Sequence, residues 1–409
     1  MSRIDQATPE LVSDARGLAA VVQALAAEDR YGIDTEFHLE RTYYPRLALV
    51  QVAWADQVAL LDPLAVDITP LGEVLRGPGT AIVHAADQDL AVLDASCGAV
   101  PSSMFDTQVA AGFLGMSTPS LSRLAERMLR VTLPKSDRLT DWIARPLTAK
   151  QLTYAANDVA HLLALHDVMV ERLRSLGRLE WALDECTQAL RSTRRPLVPE
   201  EAWWRIRDHR QLRGPARGVA QEVAAWRERR AAELDLPRRS VLSDLALSAV
   251  VHRAPRTKAD LQGVRGVEGR HLANGAAAEI LQAVARGQAL SERDLHLPSE
   301  VREERADPTV VAVAAGLVRQ IADEQHFDTS LLATRADLTD LLAGAPCRLD
   351  HGWRRRLVGD PVRRLLSGEI ALAIEPGHGL VLEQRSRIPA DKGDDAVGEL
   401  GAGPTAAGD

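Results

Sequence analysis

The segment YGIDTEFHLERTYYPRLALVQVAWADQVALLDP, residues 31–63, sets the fold class of the first half of the chain. It contains three apolar runs of strand length, at 31–37, 46–54 and 57–63. Only Ala55 and Asp56 separate the last two runs, which is a hairpin length. Three neighbouring strands in a meander, followed by alternating helices and strands, predict an α/β domain with a mixed sheet.

The elements around this meander are predicted from periodicity and helix end signals. A doubly wound nucleotide-binding domain would begin with a Gly-rich turn between a strand and a helix, and the sequence has none there. The predicted strands lie at 80–85 and 103–107, and the predicted helices lie at 13–30, 87–96, 107–115, 119–130 and from Leu147 or Thr148 to about Arg174.

A chain of 409 residues is too long for one ordinary core, so two or three domains are expected. Three widely spaced cysteines argue against a disulfide framework and for a reducing compartment, so we expect a cytoplasmic protein. The polar, acidic start of the chain is unlike a signal peptide, and no apolar run is long enough to cross a bilayer. We expect no membrane partner, and the sequence indicates no protein partner.

Composition divides the chain into five predicted segments. They are an α/β domain at 1–190, a linker rich in proline and charge at 191–210, an all-helical domain at 211–289, a second helical domain at 295–385 that ends in a hairpin, and a Gly/Ala/Asp-rich disordered tail at 386–409.

Charge is distributed unevenly between the domains. Residues 1–180 have 16 Lys and Arg against 23 Asp and Glu, whereas residues 191–290 have 19 against 11. An acidic domain followed by a basic one is either an ordinary surface fluctuation or a division of labour, in which the second domain grips nucleic acid and the first holds metal.

Asp34 and Glu36 raise the first question about function. Alternate side chains of a strand point to the same face, so these two carboxylates project together. Because like charges repel, the pair indicates either a solvated strand edge or a bound cation.

Two further segments carry polar residues that have a structural and a functional interpretation. Asp87 and Asp89 begin a predicted helix, where acidic side chains also interact favourably with the helix dipole. Tyr154 and Asp158 lie four apart on one helical face, although the tyrosine is equally well a core aromatic.

Four carboxylates and a phenol suit phosphodiester hydrolysis with two divalent ions. Mg²⁺ and Mn²⁺ prefer carboxylate oxygens and water, and two such ions stabilise the attacking and leaving oxygens. Asp34 is the natural bridging ligand, with Glu36 and Asp158 on one ion and Asp89 supporting the other. Tyr154 would then orient the attacking water.

Seven motifs, in this order, resemble ribonuclease D, a family of DEDD 3′→5′ exonucleases in the branch with Tyr four residues before the last Asp. The resemblance implies a ribonuclease H-like fold with a mixed sheet flanked by helices. The motifs are IDTEF (33–37), RTYYPRLALVQVA (41–53), LLDP (60–63), HAADQDL (84–90), FDTQVAAGFLG (105–115), KSDRLTDWIARPLT (135–148) and QLTYAANDVAHL (151–162).

The resemblance also assigns the site. It implies Asp34 and Glu36 from the first motif, Asp89 from the second, with Asp87 the weaker candidate, and Tyr154 and Asp158 from the third. It implies two divalent ions, Mg²⁺ or Mn²⁺, and release of nucleoside 5′-monophosphates. The implied substrate is RNA with a single-stranded 3′ end, tRNA precursors above all.

The basic segment at 135–148 has two interpretations. Its basic and aromatic side chains would line the path of a single strand through stacking and phosphate pairing, or Trp142 would anchor a loop against the domain. The candidates for contact with nucleic acid are Lys135, Arg138, Trp142 and Arg145.

The helical domain at 211–289 resembles the helicase-and-RNase-D C-terminal (HRDC) module, through LSDLALSAVVHRAPRTKADLQGVRGV (242–267). Its Arg-rich composition fits phosphate contacts without sequence readout, and a spacer role is the alternative. Residues 295–385 are a candidate degenerate second copy of the same module.

Two other functions stay open at this point. Nothing in the motifs reads the 2′-hydroxyl, so a DNA 3′→5′ exonuclease would carry the same residues. A non-catalytic scaffold of HRDC-like modules is the second alternative, although it predicts the loss of at least one of the five site residues, and all are present.

Overall fold

The structure is a computed structural model that describes residues 9–38, 40–134, 140–193, 198–297, 307–377 and 379–385. It divides into two compact units. The first comprises Met1–Glu304 with His326–Leu331, and the second comprises Arg305–Gln325 with Leu332–Asp409. The predicted disorder of 386–409 falls outside the described residues.

The first unit is built on a mixed six-stranded sheet with the strand order β1-β4-β3-β2-β5-β6. Strands β2, β3 and β4 form the predicted antiparallel meander, while β1 with β4, β2 with β5 and β5 with β6 are parallel. The strands are β1 (Glu10–Val12), β2 (Arg30–His38), β3 (Arg46–Trp54), β4 (Gln57–Leu61), β5 (Thr80–Val83) and β6 (Ser103–Asp106).

Eight helices accompany this sheet in the described residues. They are α1 (Ala15–Ala26), α2 (Leu71–Arg76), α3 (Asp87–Cys97), α4 (Thr107–Gly112), α5 (Leu121–Leu129), α6 (Ala149–Ala160), α7 (Leu162–Ser175) and α8 (Leu179–Thr193).

The prediction of one long helix to Arg174 is wrong in one respect. A capping box between Thr148 and Gln151 begins α6 at the predicted place. The helix is then interrupted at His161, whose φ of −108° departs from helical geometry, and α7 continues the chain.

Both faces of the sheet are covered. Strand β3 is buried from Leu47 to Trp54 and is apolar there except for Gln51, as expected of a central strand. Helix α6 packs on the face that carries Leu49 and Leu60, while the other face contributes Val50 and Val52 to the main core.

An all-helical domain follows and has its own core. Helices α9 and α13 pack so closely that a Cβ on Gly218 would lie 2.1 Å from the carbonyl oxygen of Gly287, so only glycine fits there. Its α-helices are α9 (Pro215–Leu234), α10 (Arg238–Val241), α11 (Asp244–Arg253), α12 (Lys258–Gln262) and α13 (Ala276–Ala289).

The predicted linker at 191–210 is largely ordered structure. Helix α8 extends to Thr193, and Pro199–Arg205 forms a 3₁₀ helix that buries Trp203 completely in the helical core. Residues 194–197 fall outside the described part of the chain.

The remaining described elements are helices followed by a hairpin. They are α14 (Pro308–Gln325), α15 (Thr329–Leu332), α16 (Arg335–Leu342), α17 (Gly352–Arg354), a π-helical turn at Arg355–Gly359, α18 (Asp360–Leu366), β7 (Ile370–Glu375) and β8 (Gly379–Gln384). That this segment copies the preceding domain stays a prediction. Within the described ranges, no helix is long and apolar enough to cross a membrane.

Candidate active site

The site lies where one edge of β2 becomes free. Strand β2 pairs with β3 over nearly its whole length but with β5 only over Arg30–Gly32. From Ile33 onward, no strand of the described residues pairs with β2 on the β5 side, and Asp34 and Glu36 lie on this part of the strand. The carboxyl ends of strands in open α/β sheets are where ligands ordinarily bind.

Helix α3 brings the second acidic segment to this edge. The Thr35 hydroxyl donates a short hydrogen bond to Oδ1 of Asp89, which ties the first turn of α3 to β2. Asp87, two residues earlier, is exposed, whereas Asp89 is half-buried. The geometry therefore supports Asp89 over Asp87.

The turn that carries Asp89 is held by a residue to which the sequence analysis gave no role. The buried carboxylate of Asp106 accepts hydrogen bonds from the backbone N–H groups of Ala85 at 3.0 Å and Ala86 at 3.1 Å. It also caps α4 by accepting from Gln108 and Val109. An Asp between a strand and a helix is an N-cap signal, but its long-range bonds cannot be read from the sequence.

Helix α6 supplies the third segment. Tyr154 and Asp158 are one turn apart, and the phenol hydroxyl donates to the Asp158 carboxylate. The Tyr154 ring lies 5.9 Å from the Trp142 ring, and both belong to the cluster that packs α6 on the sheet.

Electrostatics shows that the acidic residues converge. Burial, followed by the charges of Asp89, Asp158 and Glu36, raises the pKa of Asp34 well above its ordinary value. Four carboxylates from β2, α3 and α6 therefore repel one another at one place, and a bound cation would relieve this repulsion.

The other shifts fit the same surroundings. Burial raises the pKa of Asp89, although the bond from Thr35 opposes that shift. Burial and then the charges of Asp158 and Glu36 raise the pKa of the Tyr154 phenol above its ordinary value of 10.0. Tyr154 is therefore a neutral hydrogen-bonding group at physiological pH.

The donor set fits hard divalent ions that keep part of their hydration. Among the described residues, no three acidic, histidine or cysteine side chains are grouped closely enough to hold a metal ion by themselves. Mg²⁺ ordinarily takes one or two carboxylates and completes its shell with water and substrate phosphate, so three protein ligands already in place are not required.

A buried amide beside Asp34 supports the same conclusion. Gln51 lies directly opposite Asp34 in the β2–β3 register, and paired residues of antiparallel strands share a face. Its side chain is fully buried, and neither its nitrogen nor its oxygen has a hydrogen-bond partner among the described residues. Buried polar groups are ordinarily satisfied, so this pair of atoms points to a water or an ion-bound water next to the carboxylates.

The four candidate contacts to nucleic acid have different outcomes. Lys135 and Arg138 lie outside the described residues. Trp142 is 2% exposed, which favours the alternative in which it anchors a loop. The Arg145 guanidinium binds Asp62 through two hydrogen bonds of 2.7 Å and donates to the carbonyl of Ala48, so its contacts fit anchoring as well.

Comparisons with known proteins match both domains. A 3′-5′ exonuclease family model matches residues 9–174, and an HRDC domain model matches residues 216–284. A curated Ribonuclease D of Gluconacetobacter diazotrophicus is 36% identical over 379 residues, which cover 90% of this chain and 95% of the relative. The Ribonuclease D of Granulibacter bethesdensis is 33% identical over 377 residues, with coverages of 90% and 95%.

A solved structure is similar along nearly the same length. The crystal structure of Escherichia coli RNase D, described as an exoribonuclease involved in structured RNA processing, has a TM-score of 0.78 and 31% identity to this chain. The match covers 88% of this chain and 99% of that one, so it includes the helical region as well as the sheet.

Proposed function

The chain belongs to the ribonuclease D family of 3′→5′ exoribonucleases, and from this premise we propose that it trims structured RNA at a single-stranded 3′ end, tRNA precursors above all. The predictions of fold, enzyme class and RNA hydrolysis are confirmed by this membership, and the scaffold alternative is disfavoured. The substrate, the ions and the role of each residue are the proposal.

The convergence of four carboxylates at the free edge of β2 carries this proposal. Two divalent ions, Mg²⁺ or Mn²⁺, fit the donor set, because two such ions share ligands and keep water. Asp34 would serve both ions, Glu36 and Asp158 one of them, and Asp89 the other. Thr35 acts indirectly, since its hydroxyl fixes the Asp89 carboxylate.

Hydrolysis breaks the bond between phosphorus and the 3′ oxygen of the preceding nucleotide, and a water oxygen replaces it. When bound, the ions activate that water and stabilise the charge on the leaving oxygen. Tyr154 keeps its proton and donates a hydrogen bond to Asp158, so the lone pairs of the phenol oxygen can accept a hydrogen bond from the attacking water. The product is a nucleoside 5′-monophosphate.

A duplex end should be a poor substrate. The carboxylates are half-buried between β2, α3 and α6, so a terminal nucleotide has to leave its stack to bring its phosphate to them. Unstacking and unpairing a base costs a few kcal/mol, and a single-stranded end avoids most of that cost.

A cytoplasmic location stays a prediction, with which the three free cysteines agree.

Matched 5′-labelled RNA and DNA oligonucleotides, digested with Mg²⁺ or Mn²⁺, test the function. The proposal predicts a ladder that shortens one nucleotide at a time from the 3′ end of RNA, and no ladder with Asp34→Asn. Faster digestion of DNA would establish the DNA exonuclease alternative. Equal, slow loss of RNA with wild type and Asp34→Asn would overturn the proposed function altogether.

A further inference from the structure

A second, basic cavity lies between the loop after β2 and the helical domain. It has a volume of about 420 Å³ and contains none of the five proposed catalytic residues. Its lining comprises Thr42, Tyr43, Arg205, Arg227, Glu228, Pro237, Arg238, Arg239 and Asp244.

The loop wall of this cavity is fixed to the helical domain. The Tyr43 hydroxyl donates to Glu228 at 3.0 Å, and the backbone N–H groups of Tyr43 and Tyr44 both donate to Asp235 at 3.1 Å. The shape of the cavity is therefore set before any ligand binds.

Two of the four arginines are neutralised inside the cavity. Arg227 forms an ion pair with Asp244 at 2.6 Å, and Arg238 forms one with Glu228 at 2.7 Å. Arg227 is 4% exposed, and its Nε has no hydrogen-bond partner among the described residues. A buried donor without a partner is uncommon and indicates a missing acceptor.

The other two arginines leave a positive charge on the cavity. Arg239 donates only to the carbonyl oxygen of Glu40, and Arg205 has no hydrogen bond or ion pair in the part of the chain that the structure describes. Both side chains are exposed. Two guanidinium groups without a carboxylate match a phosphate, which they bind with two parallel hydrogen bonds each.

We propose that this cavity binds a phosphodiester of the RNA backbone upstream of the nucleotide being removed. The inference rests on the proposed function for the identity of the strand. RNA is the ligand because the chain holds it at the neighbouring site, and contacts to phosphate alone suit an enzyme that trims varied sequences.

The distance along the chain agrees with one strand that reaches both places. Five residues lie between Glu36 and Thr42, so the Cα atoms of these two residues are at most about 22 Å apart. A stacked strand has one phosphate per about 3.4 Å, so about six nucleotides cover that span. The cavity would hold the body of the strand while its end enters the carboxylate site.

The test compares two double variants that remove the same charge. Arg205→Gln/Arg239→Gln removes the two unneutralised arginines, and Arg207→Gln/Arg265→Gln removes two exposed arginines that do not line the cavity. Binding of a 20-nucleotide RNA is measured with Mg²⁺ in an Asp34→Asn background, so that the RNA is not consumed. Unfolding midpoints establish that both variants fold.

We expect the cavity variant to bind about 25-fold more weakly at 0.1 M salt, because two phosphate contacts on a single strand contribute about 1.4 to the salt slope. The control should lose less than about threefold. Equal losses in the two variants, or wild-type binding by the cavity variant, would overturn the proposal. If the cavity variant bound uridine 5′-monophosphate more weakly but RNA as well as wild type does, the cavity would be a site for the product, and the proposal would be overturned as well.

A small substrate separates this proposal from the proposed function. A p-nitrophenyl ester of uridine 5′-monophosphate has a single phosphodiester, and this group occupies the carboxylate site. Because nothing in this substrate reaches the cavity, the cavity variant and the control should release nitrophenolate at equal rates. If wild type hydrolyses neither ester nor RNA faster than Asp34→Asn, the proposed function fails whatever the binding data show.

Discussion

Asp34 is the residue at which the charges of the site meet. Its raised pKa means that the folded protein holds a proton there more tightly than the unfolded chain does. Without metal, the contribution of Asp34 to the free energy of unfolding is therefore present at low pH and is lost as the pH rises through the raised pKa. Metal binding requires the ionised form, so ion affinity should fall as the pH is lowered through the same range.

Asp34→Asn should raise stability and remove activity together. In chelator we expect the variant to be more stable than wild type by about 1 kcal/mol, since one repelling charge is lost. Turnover should fall by about 10²–10³-fold or more, because the ions contribute several kcal/mol to the transition state. Thermal unfolding with and without Mn²⁺ measures the first effect, and RNA digestion measures the second.

Asp87→Asn is the matched control, because Asp87 begins the same helix as Asp89 but is exposed. At a Mn²⁺ concentration of 100 times Kd, the free energy of unfolding of wild type and of this control should rise by about 2.7 kcal/mol. The rise for Asp34→Asn should be clearly smaller. Equal gains in all three proteins would place the ions elsewhere.

Tyr154→Phe should lower turnover with little change in RNA affinity. Loss of the phenol oxygen removes a water-orienting group, for which we expect a fall of about 10- to 100-fold in kcat and a nearly constant KM. Because its pKa is raised, ionisation of this phenol should cause no loss of wild-type activity up to about pH 10. Tyr44→Phe, an exposed tyrosine, is the control. Weakened RNA binding with normal kcat would contradict the assigned role.

At the scale of elements, the loop before α6 is anchored by an ion pair between Arg145 and Asp62. Burial acts to raise the pKa of Asp62, but the hydrogen bonds and charge of Arg145 and the backbone N–H groups of Leu64 and Ala65 together outweigh it, so the pKa is lowered overall. The pair therefore stabilises the fold above the ordinary aspartate pKa, and this contribution is lost as the pH falls through the lowered one.

Arg145→Gln should accordingly destabilise the fold without changing nucleic-acid binding. Removing one partner leaves Asp62 buried and unpaired, and since Arg145 is one quarter exposed we expect a loss of about 2 kcal/mol. Arg174→Gln, which removes an exposed pair with Glu171, should cost less than about 0.5 kcal/mol. Denaturant titrations and RNA binding against salt measure both quantities. A flatter salt dependence with unchanged stability would favour a strand-lining role for Arg145.

The elements show how far the sequence could predict the structure. The meander and the segments around Asp34, Asp89 and Tyr154 follow from local periodicity and motif order. Strand β1 has three residues, too few for a period to be visible, and the interruption at His161 has no Gly or Pro to signal it.

Tertiary contacts explain the residues that sequence analysis assigned incompletely. Trp203 lies in a segment rich in proline and charge, yet it fills the helical core. Asp106 binds backbone groups about twenty residues away, and the Thr35–Asp89 bond joins two elements 54 residues apart. Such contacts depend on the assembled fold and leave no local pattern in the sequence.

At the scale of the whole molecule, we expect the acidic and the basic domain to have different roles. The helical domain has the excess of arginine, and the loop after β2 is bonded to it through Tyr43. We expect it to hold the RNA by phosphate contacts while the carboxylates perform the hydrolysis.

A chain ending at Thr193 should separate these two tasks. The cut has to precede the 3₁₀ helix, because Trp203 belongs to the helical core, and the sheet domain retains its own buried cluster. RNA affinity should fall at least about tenfold at 0.1 M salt with a flatter salt dependence, while nitrophenyl ester hydrolysis persists. Unchanged RNA binding would make the helical domain a spacer.

Anomalous scattering from crystals grown with Mn²⁺ and uridine 5′-monophosphate tests the central claim most directly. The account predicts two peaks about 3.5–4 Å apart, with Asp34 touching both and Asp89 and Asp158 on different ions, and no such pair in Asp34→Asn crystals. A manganese pair bound away from these carboxylates, or a fully occupied nucleotide site with no manganese beside Asp34, would contradict it.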